Sequence, residues 1–275
     1  MQEIQWFPGH MAKAKRQLTE LLRYLDLLIE VRDARIPIAS HNRDLDEILG
    51  KKPVIVLLNK MDLADPEVTG AWRVWFAAQK IPVVEVNGKN GRGIEAIWKV
   101  AAAQFVGNRS GQIKRLGVVG IPNVGKSSVL NRLLGRGAAR TGNLPGVTRG
   151  KQWIKYKGFE VLDTPGLLPP KLTSRTDGYK LALVGTIRDE IVPVHDLALY
   201  LMENYGGKLF AGDDSFPEQL PAEEQLLWFA LKRKFLAKGG EPDLNRAVMA
   251  LLHEFRQGRL GRISLEQPPT AGSVY

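Results

Sequence analysis

The sequence predicts an α/β fold, a mainly parallel sheet flanked by helices, followed by an all-α C-terminal portion. Three observations predict it. Short apolar runs at 27–31, 53–58, 82–86 and 116–120 read as strands buried on both faces. Helix-length amphipathic stretches separate them, at about 67–80 and 93–105, so right-handed crossovers bring neighbouring strands parallel. Beyond Pro169-Pro170 the strand signals largely stop.

In chain order, an apolar-periodic helix at about 11–23 leads into Leu27-Leu28-Ile29-Glu30-Val31. A helix starts at Ser128 and runs to Leu134 behind the fourth strand. Two further strands, 151–156 and 159–163, are separated by Lys157-Gly158 and form a hairpin. Segments 178–188, 195–205, 222–238 and 243–257 are helix-like, with breakers such as Gly239-Gly240 and Pro242 between them. This divides the chain into an α/β domain, residues 1–174, and a helical domain, residues 175–275. The stretch Gln267 to Ser273 reads as a frayed tail.

With 275 residues and 44% hydrophobic content, the chain can bury a sizeable core. No apolar run approaches the roughly 18 residues of a membrane span, and the start lacks a secretion signal. A cytoplasmic protein with no membrane partner is expected. The absence of cysteine removes disulfides and thiolate chemistry. The formal charge of +10 is uneven: residues 1–174 hold 27 Lys+Arg against 15 Asp+Glu, a net +12, whereas residues 175–275 hold 12 against 14, a net −2. Such an excess on the portion that also carries a phosphate-binding motif suggests a polyanionic partner, RNA first, against a plainly soluble basic surface.

That motif is Gly120-Ile-Pro-Asn123-Val124-Gly125-Lys126-Ser127, which follows a buried strand and opens the helix at Ser128. Glycines let backbone N–H groups curl around phosphate oxygens at a helix N-terminus, Lys126 adds a point charge on the β/γ-phosphates, and Ser127 ligates Mg²⁺. Downstream, Asp163-Thr-Pro-Gly166 ends the hairpin, where Asp163 reaches the metal through water and the Gly166 N–H approaches the γ-phosphate. Between them, Pro145-Gly-Val-Thr148 places a hydroxyl on the magnesium in the triphosphate state. Alone, each of these two is weak; in this order behind the phosphate loop they read as two switches.

Ahead of all three stands Asn59-Lys60-Met61-Asp62, at the end of a buried strand. There the Asp62 carboxylate accepts both guanine N1–H and the 2-amino group, a pair of donors adenine lacks. An ordinary strand-end turn with Asp62 capping a helix is the competing reading. One strand and helix further on, Asn87-Gly88 opens a second base-contacting loop, whose backbone N–H faces guanine O6. The nucleotide ligands are therefore GTP and GDP.

Base, base, phosphate, switch, switch is a rotated order that resembles the circularly permuted GTPases. Trp6-Phe-Pro-Gly-His10-Met11, Asp33-Ala-Arg35-Ile-Pro37 and Gly120 to Ser128 resemble the ribosome biogenesis GTPase A family over essentially the whole chain. That resemblance implies GTP hydrolysis stimulated on the large ribosomal subunit precursor, contacts with rRNA and ribosomal proteins by a monomer, and a helical RNA-binding C-terminal domain. Where many GTPases place a water-orienting Gln after the Asp-x-x-Gly motif, this chain has Leu167. The resemblance points to His10 as the substitute, against a mere helix cap. Asn123 matches GTPases that take K⁺ beside the phosphates, against an Asn that only satisfies its loop. Asn87-Gly88-Lys89 departs from the family's usual Ser-Ala-Lys. The alternative reading is a nucleotide-gated RNA-binding module with another RNA target, in which hydrolysis is incidental.

Overall fold

The computed structural model describes residues 16, 18–50, 52–106, 113–135, 139–143, 152–163, 174–187, 189 and 192–270. Its centre is a seven-stranded sheet of β1 (Leu27–Asp33), β2 (Val54–Asn59), β3 (Val83–Glu85), β4 (Lys114–Val119), β5 (Ala139–Asn143), β6 (Gln152–Tyr156) and β7 (Phe159–Asp163), in the order β3-β2-β1-β4-β7-β6-β5. Every pairing from β3 across to β7 is parallel, whereas β6 and β5 add antiparallel. All seven residues of β1 are buried. This fits a central strand covered on both faces, so its charged residues Glu30, Arg32 and Asp33 are buried along with its apolar ones.

The predicted hairpin is present. Lys157 and Gly158 both have positive φ, 48° and 81°, the type I′ geometry whose twist matches the flanking strands. The sequence reading missed β5, whose Ala-Arg-Thr-Gly-Asn carries no alternating apolar pattern. It pairs with β6 on the rim. The reading also missed helix α1 (Asp44–Leu49), which at six residues is too short to show a period.

Helix α2 (Pro66–Ala78) starts on Asp65, whose side chain accepts from the N–H groups of Glu67 and Val68, and has Pro66 in its first turn. Val68, Trp72 and Phe76, spaced by four, form its buried face. Helices α3 (Ile94–Ala103) and α4 (Lys126–Leu134) complete the layers around the sheet. Beyond β7 come α5 (Arg175–Leu183), α6 (Val194–Leu209), α7 (Ala222–Lys232) and α8 (Leu244–Arg256).

Two predicted helices end early for the same reason. Gly185 and Lys234 take positive φ, 75° and 54°. The next N–H then reaches back to a carbonyl of the last turn, Thr186 to Leu181 at 2.8 Å and Phe235 to Ala230 at 2.9 Å. These are αL caps that stop α5 at Leu183 and α7 at Lys232. One hydrophobic cluster runs from β1, β2 and β4 through α3 and α4 into α5 to α8, with Leu57, Val118, Leu181, Leu201, Phe229 and Leu251 among its members. Ile263 to Glu266 are buried, whereas in the stretch expected to fray Gln267 and Thr270 are exposed and residues 271–273 lie outside the described residues. Among the described residues, no helix is long and apolar enough to cross a membrane.

Candidate nucleotide site

The C-terminal ends of the parallel strands bring the predicted loops together, as open α/β sheets do with their binding sites. Behind β4, Gly120 lies so close to β1 that a Cβ would meet the Val31 carbonyl at 2.6 Å. Asn123 and Gly125 have φ of 60° and 91°, and Val124 is buried in the core. The loop is thus anchored by an apolar side chain while its turns are left-handed. Lys126, Ser127 and Ser128 form the first turn of α4, with both serines exposed. An exposed hydroxyl on an N-terminal helical turn fits Mg²⁺, which keeps waters and takes most other ligands from phosphates.

Asn59, at the end of β2, holds this loop. Its side-chain amide donates to the Val124 carbonyl at 2.7 Å, and its oxygen accepts from the Gly88 N–H at 2.9 Å. Asn59 is 3% exposed, and beside its predicted base role it has a structural one, fixing the phosphate loop and both base loops to each other. The Gly88 N–H, expected to face guanine, is consumed by Asn59. Its neighbours are similarly committed: Asn87 Oδ1 accepts from the N–H groups of Lys89 and Asn90 at 2.9 and 3.0 Å. Gly88 is required for space, since a Cβ would meet Val129 at 2.9 Å.

Lys60 bridges two loops, donating to the Asn123 carbonyl at 2.9 Å and pairing with Asp33 at 2.9 Å. Asp33, fully buried at the end of β1, also takes the Arg35 guanidinium at 3.0 and 2.8 Å. Burial alone would raise the Asp33 carboxyl, but Arg35 and Lys60 hold it far below the usual carboxylate range. In the sequence Asp33 stands out only through the family resemblance. A carboxylate ending a buried strand beside two cations was the available signal. Asp62 does not cap α2, a task Asp65 performs. It faces a cleft of about 700 Å³ together with Asn59, Lys60, Asn87, Gly125 and Ser128.

Arg256 and Gln257, at the end of α8, line the same cleft. Sequence reasoning missed both, because nothing local marks a helix end as facing a site nearly two hundred residues upstream. Arg256 donates to the Ala182 and Leu183 carbonyls at 2.9 and 3.2 Å and pairs with Asp189. Through a hydrogen bond to Asp189, it lowers that carboxyl. Asn123 donates its amide to the Gly185 carbonyl at 3.1 Å. That leaves its amide oxygen as the atom for a cation.

His10, Thr148, Gly166 and Leu167 lie outside the described residues, and Asp163 is placed only as the end of β7, paired with Val118. Part of the positive charge of residues 1–174 is internal: Arg32 and Arg35 are 6% and 1% exposed and neutralise Glu30 and Asp33, so these two offer nothing to RNA, whereas Arg16 and Arg43 are exposed. Arg32 and Arg35 each anchor the carboxylate two residues before. In the helical portion Phe229 is core and Trp228 and Phe235 pack against it. Lys232 and Arg233 are paired with Asp213 and Glu254.

Residues 115–227 match the family model described as 50S ribosome-binding GTPase. The chain is 41% identical to a ribosome biogenesis GTPase A of Bacillus licheniformis, an alignment covering 96% of this chain and 98% of that one. Among solved structures, the GDP-bound YlqF of Thermotoga maritima superposes with a TM-score of 0.71 at 33% identity, covering 92% and 99% of the two chains. The GNP-bound form from T. maritima gives 0.70 at 33%, covering 93% and 98%.

Proposed function

Since this chain is a GTPase that belongs to the ribosome biogenesis GTPase A family, we propose that it works on the large ribosomal subunit precursor, docking in the GTP state and hydrolysing GTP faster on the particle. The observation that carries the reading is the hydrogen bond from Asn123 in the phosphate loop to the Gly185 carbonyl at the end of α5. A loop that closes around a γ-phosphate therefore has a direct hold on the helical portion. A nucleotide-dependent change in one is a positional change in the other.

Residues 1–174 and 175–275 act in this scheme as nucleotide and rRNA-contacting domains that share one core. The nucleotide domain is circularly permuted: the base loop precedes the phosphate loop in sequence, and the GTPase family model begins only at Arg115, behind both base loops. GTP and GDP lie with the base toward Asp62 and the phosphates toward Gly125, Lys126, Ser127 and Ser128. Mg²⁺ sits on Ser127, with Thr148 and Asp163 joining it in the triphosphate state. Leu167 leaves water without a polar partner at that position, and His10 supplies one. The protein acts as a monomer in the cytoplasm.

The test is multiple-turnover GTP hydrolysis with purified large subunits, with small subunits and with an arbitrary structured RNA. Stimulation by large subunits alone is expected, and His10→Ala should remove it while sparing GTP affinity. Equal stimulation by arbitrary RNA would overturn the large-subunit assignment in favour of a general RNA-binding module.

A further inference from the structure

The loop that carries Asp62 is held from outside by the far end of the chain. After α8 the backbone turns at Gly258 and Gly261, with φ of 70° and 102°, and then runs beside residues 61–65. Arg262 donates from Nη2 to the Met61 carbonyl at 2.7 Å and from Nε to the Ala64 carbonyl at 2.9 Å. The Ile263 N–H donates to the Leu63 carbonyl at 3.1 Å, and Ser264 Oγ accepts from the Asp65 N–H at 3.1 Å. Further on, Glu266 fastens the segment by accepting from the Ile38 and Ala39 N–H groups at 2.7 and 3.1 Å.

Asp62 sits between the two carbonyls that Arg262 grips. It lines the cleft, so the direction of its carboxylate depends on the backbone beneath it. Apart from the local turn bond of the Leu63 N–H to the Lys60 carbonyl at 2.9 Å, the Met61 N–H ties that backbone to the sheet by a long bond to the Val86 carbonyl at 3.3 Å. We propose that Arg262 is a positioning residue for guanine recognition, bridging Met61 and Ala64 so that Asp62 presents both carboxylate oxygens to the base. The proposal rests on Asp62 being the guanine reader.

The chemistry asks for arginine in particular. Two N–H groups on one edge of a planar guanidinium match two carbonyls on one side of a turn, whereas a lysine ammonium satisfies one of them well and leaves the other to water. Supporting groups of this kind set the orientation of the group they hold, and an error on the order of an ångström is enough to lose a bidentate contact. The clasp also belongs to the segment that follows α8, so a partner that moves the helical portion would loosen guanine, and guanine would resist that movement equally.

Arg262 is exposed, with its hydrogen bonds on the surface of the loop, so its replacement does not open the core. The experiment measures GDP, IDP and XDP affinities by calorimetry for the wild type, Arg262→Ala, Arg262→Lys and Asp62→Asn, with thermal midpoints alongside. IDP lacks the 2-amino group and so reports the second half of the bidentate pair. Arg262→Ala should lower GDP affinity by about tenfold or more and IDP affinity much less, shrinking the GDP/IDP ratio, with Arg262→Lys between it and the wild type. An unchanged ratio in Arg262→Ala, or equal losses for GDP and IDP, overturns the proposal. Asp62→Asn tests the reading beneath it: preference should move from GDP toward XDP. An Asp62→Asn protein that still selects GDP sinks the base-reading assignment and the Arg262 role with it.

Discussion

Asn59 donates to the Val124 carbonyl at 2.7 Å and accepts from the Gly88 N–H at 2.9 Å, so one buried side chain fastens three loops contributed by three strands. Its replacement should loosen the whole rim of the nucleotide cleft. Asn59→Ala orphans a donor and an acceptor at about 1–3 kcal/mol each. Urea denaturation should register that loss, and GDP titration should show affinity falling by at least about tenfold, the equivalent of about 1.4 kcal/mol.

Gly125→Ala should abolish nucleotide binding while leaving the fold intact. The position has a φ of 91°, and a Cβ there would run into Asn59 Nδ2. An L-residue in that region costs about 1–2 kcal/mol before the collision is counted. Circular dichroism should match the wild type, and calorimetric GDP titration should be flat.

Asp33→Ala should be among the most damaging single changes, at about 3–5 kcal/mol. It strands the Arg35 guanidinium, whose side chain is 2% exposed, and removes the partner of Lys60. Chemical denaturation measures the cost. The pH sign follows from the depressed carboxyls. For Glu30 burial pushes up, but Arg32 and His41 bring it down to about 2. Its contribution is present above the ordinary value of 4.5 and is lost as pH falls toward about 2.

His41 works in the opposite direction. Burial and Arg32 push its pKa down, but Glu30 on Nδ1 at 2.8 Å and Asp46 on Nε2 at 2.9 Å more than offset them, and the net shift is upward. Its stabilisation is full below the ordinary 6.5 and is lost as pH rises through the raised value. Thermal midpoints of the wild type and His41→Gln, taken from about pH 6 to about pH 9, should therefore converge on the alkaline side.

Asn123 carries two separable roles. If its amide oxygen ligates K⁺, hydrolysis should be faster in KCl than in NaCl at equal ionic strength, and Asn123→Ala should erase the difference. The same substitution removes the amide donor to Gly185. Protease sensitivity of the segment after α5 should then rise in both salts.

The α/β class, the hairpin at Lys157-Gly158, the phosphate loop and the base loop were legible in sequence, because each is a local pattern set by backbone geometry. A buried strand needs a continuous apolar run, a left-handed turn needs glycine or a tolerant residue, and a helix N-terminus needs a cap. Glu30, Arg32, Asp33 and Arg35 were not legible as what they are: charge in a sequence reads as surface, and only folding shows that the two carboxylates of β1 are each paired, buried, with the arginine two residues on. Asn59 was legible as a candidate base ligand, and only the structure shows that it is also the staple between loops. Arg256 and Arg262 gave no local sign, because their relation to Asp62 and the nucleotide cleft exists only once α8 and the segment behind it return to the sheet. Local chemistry marked which loops are candidates for binding; the tertiary structure decided what holds them, since that depends on contacts between residues far apart in sequence.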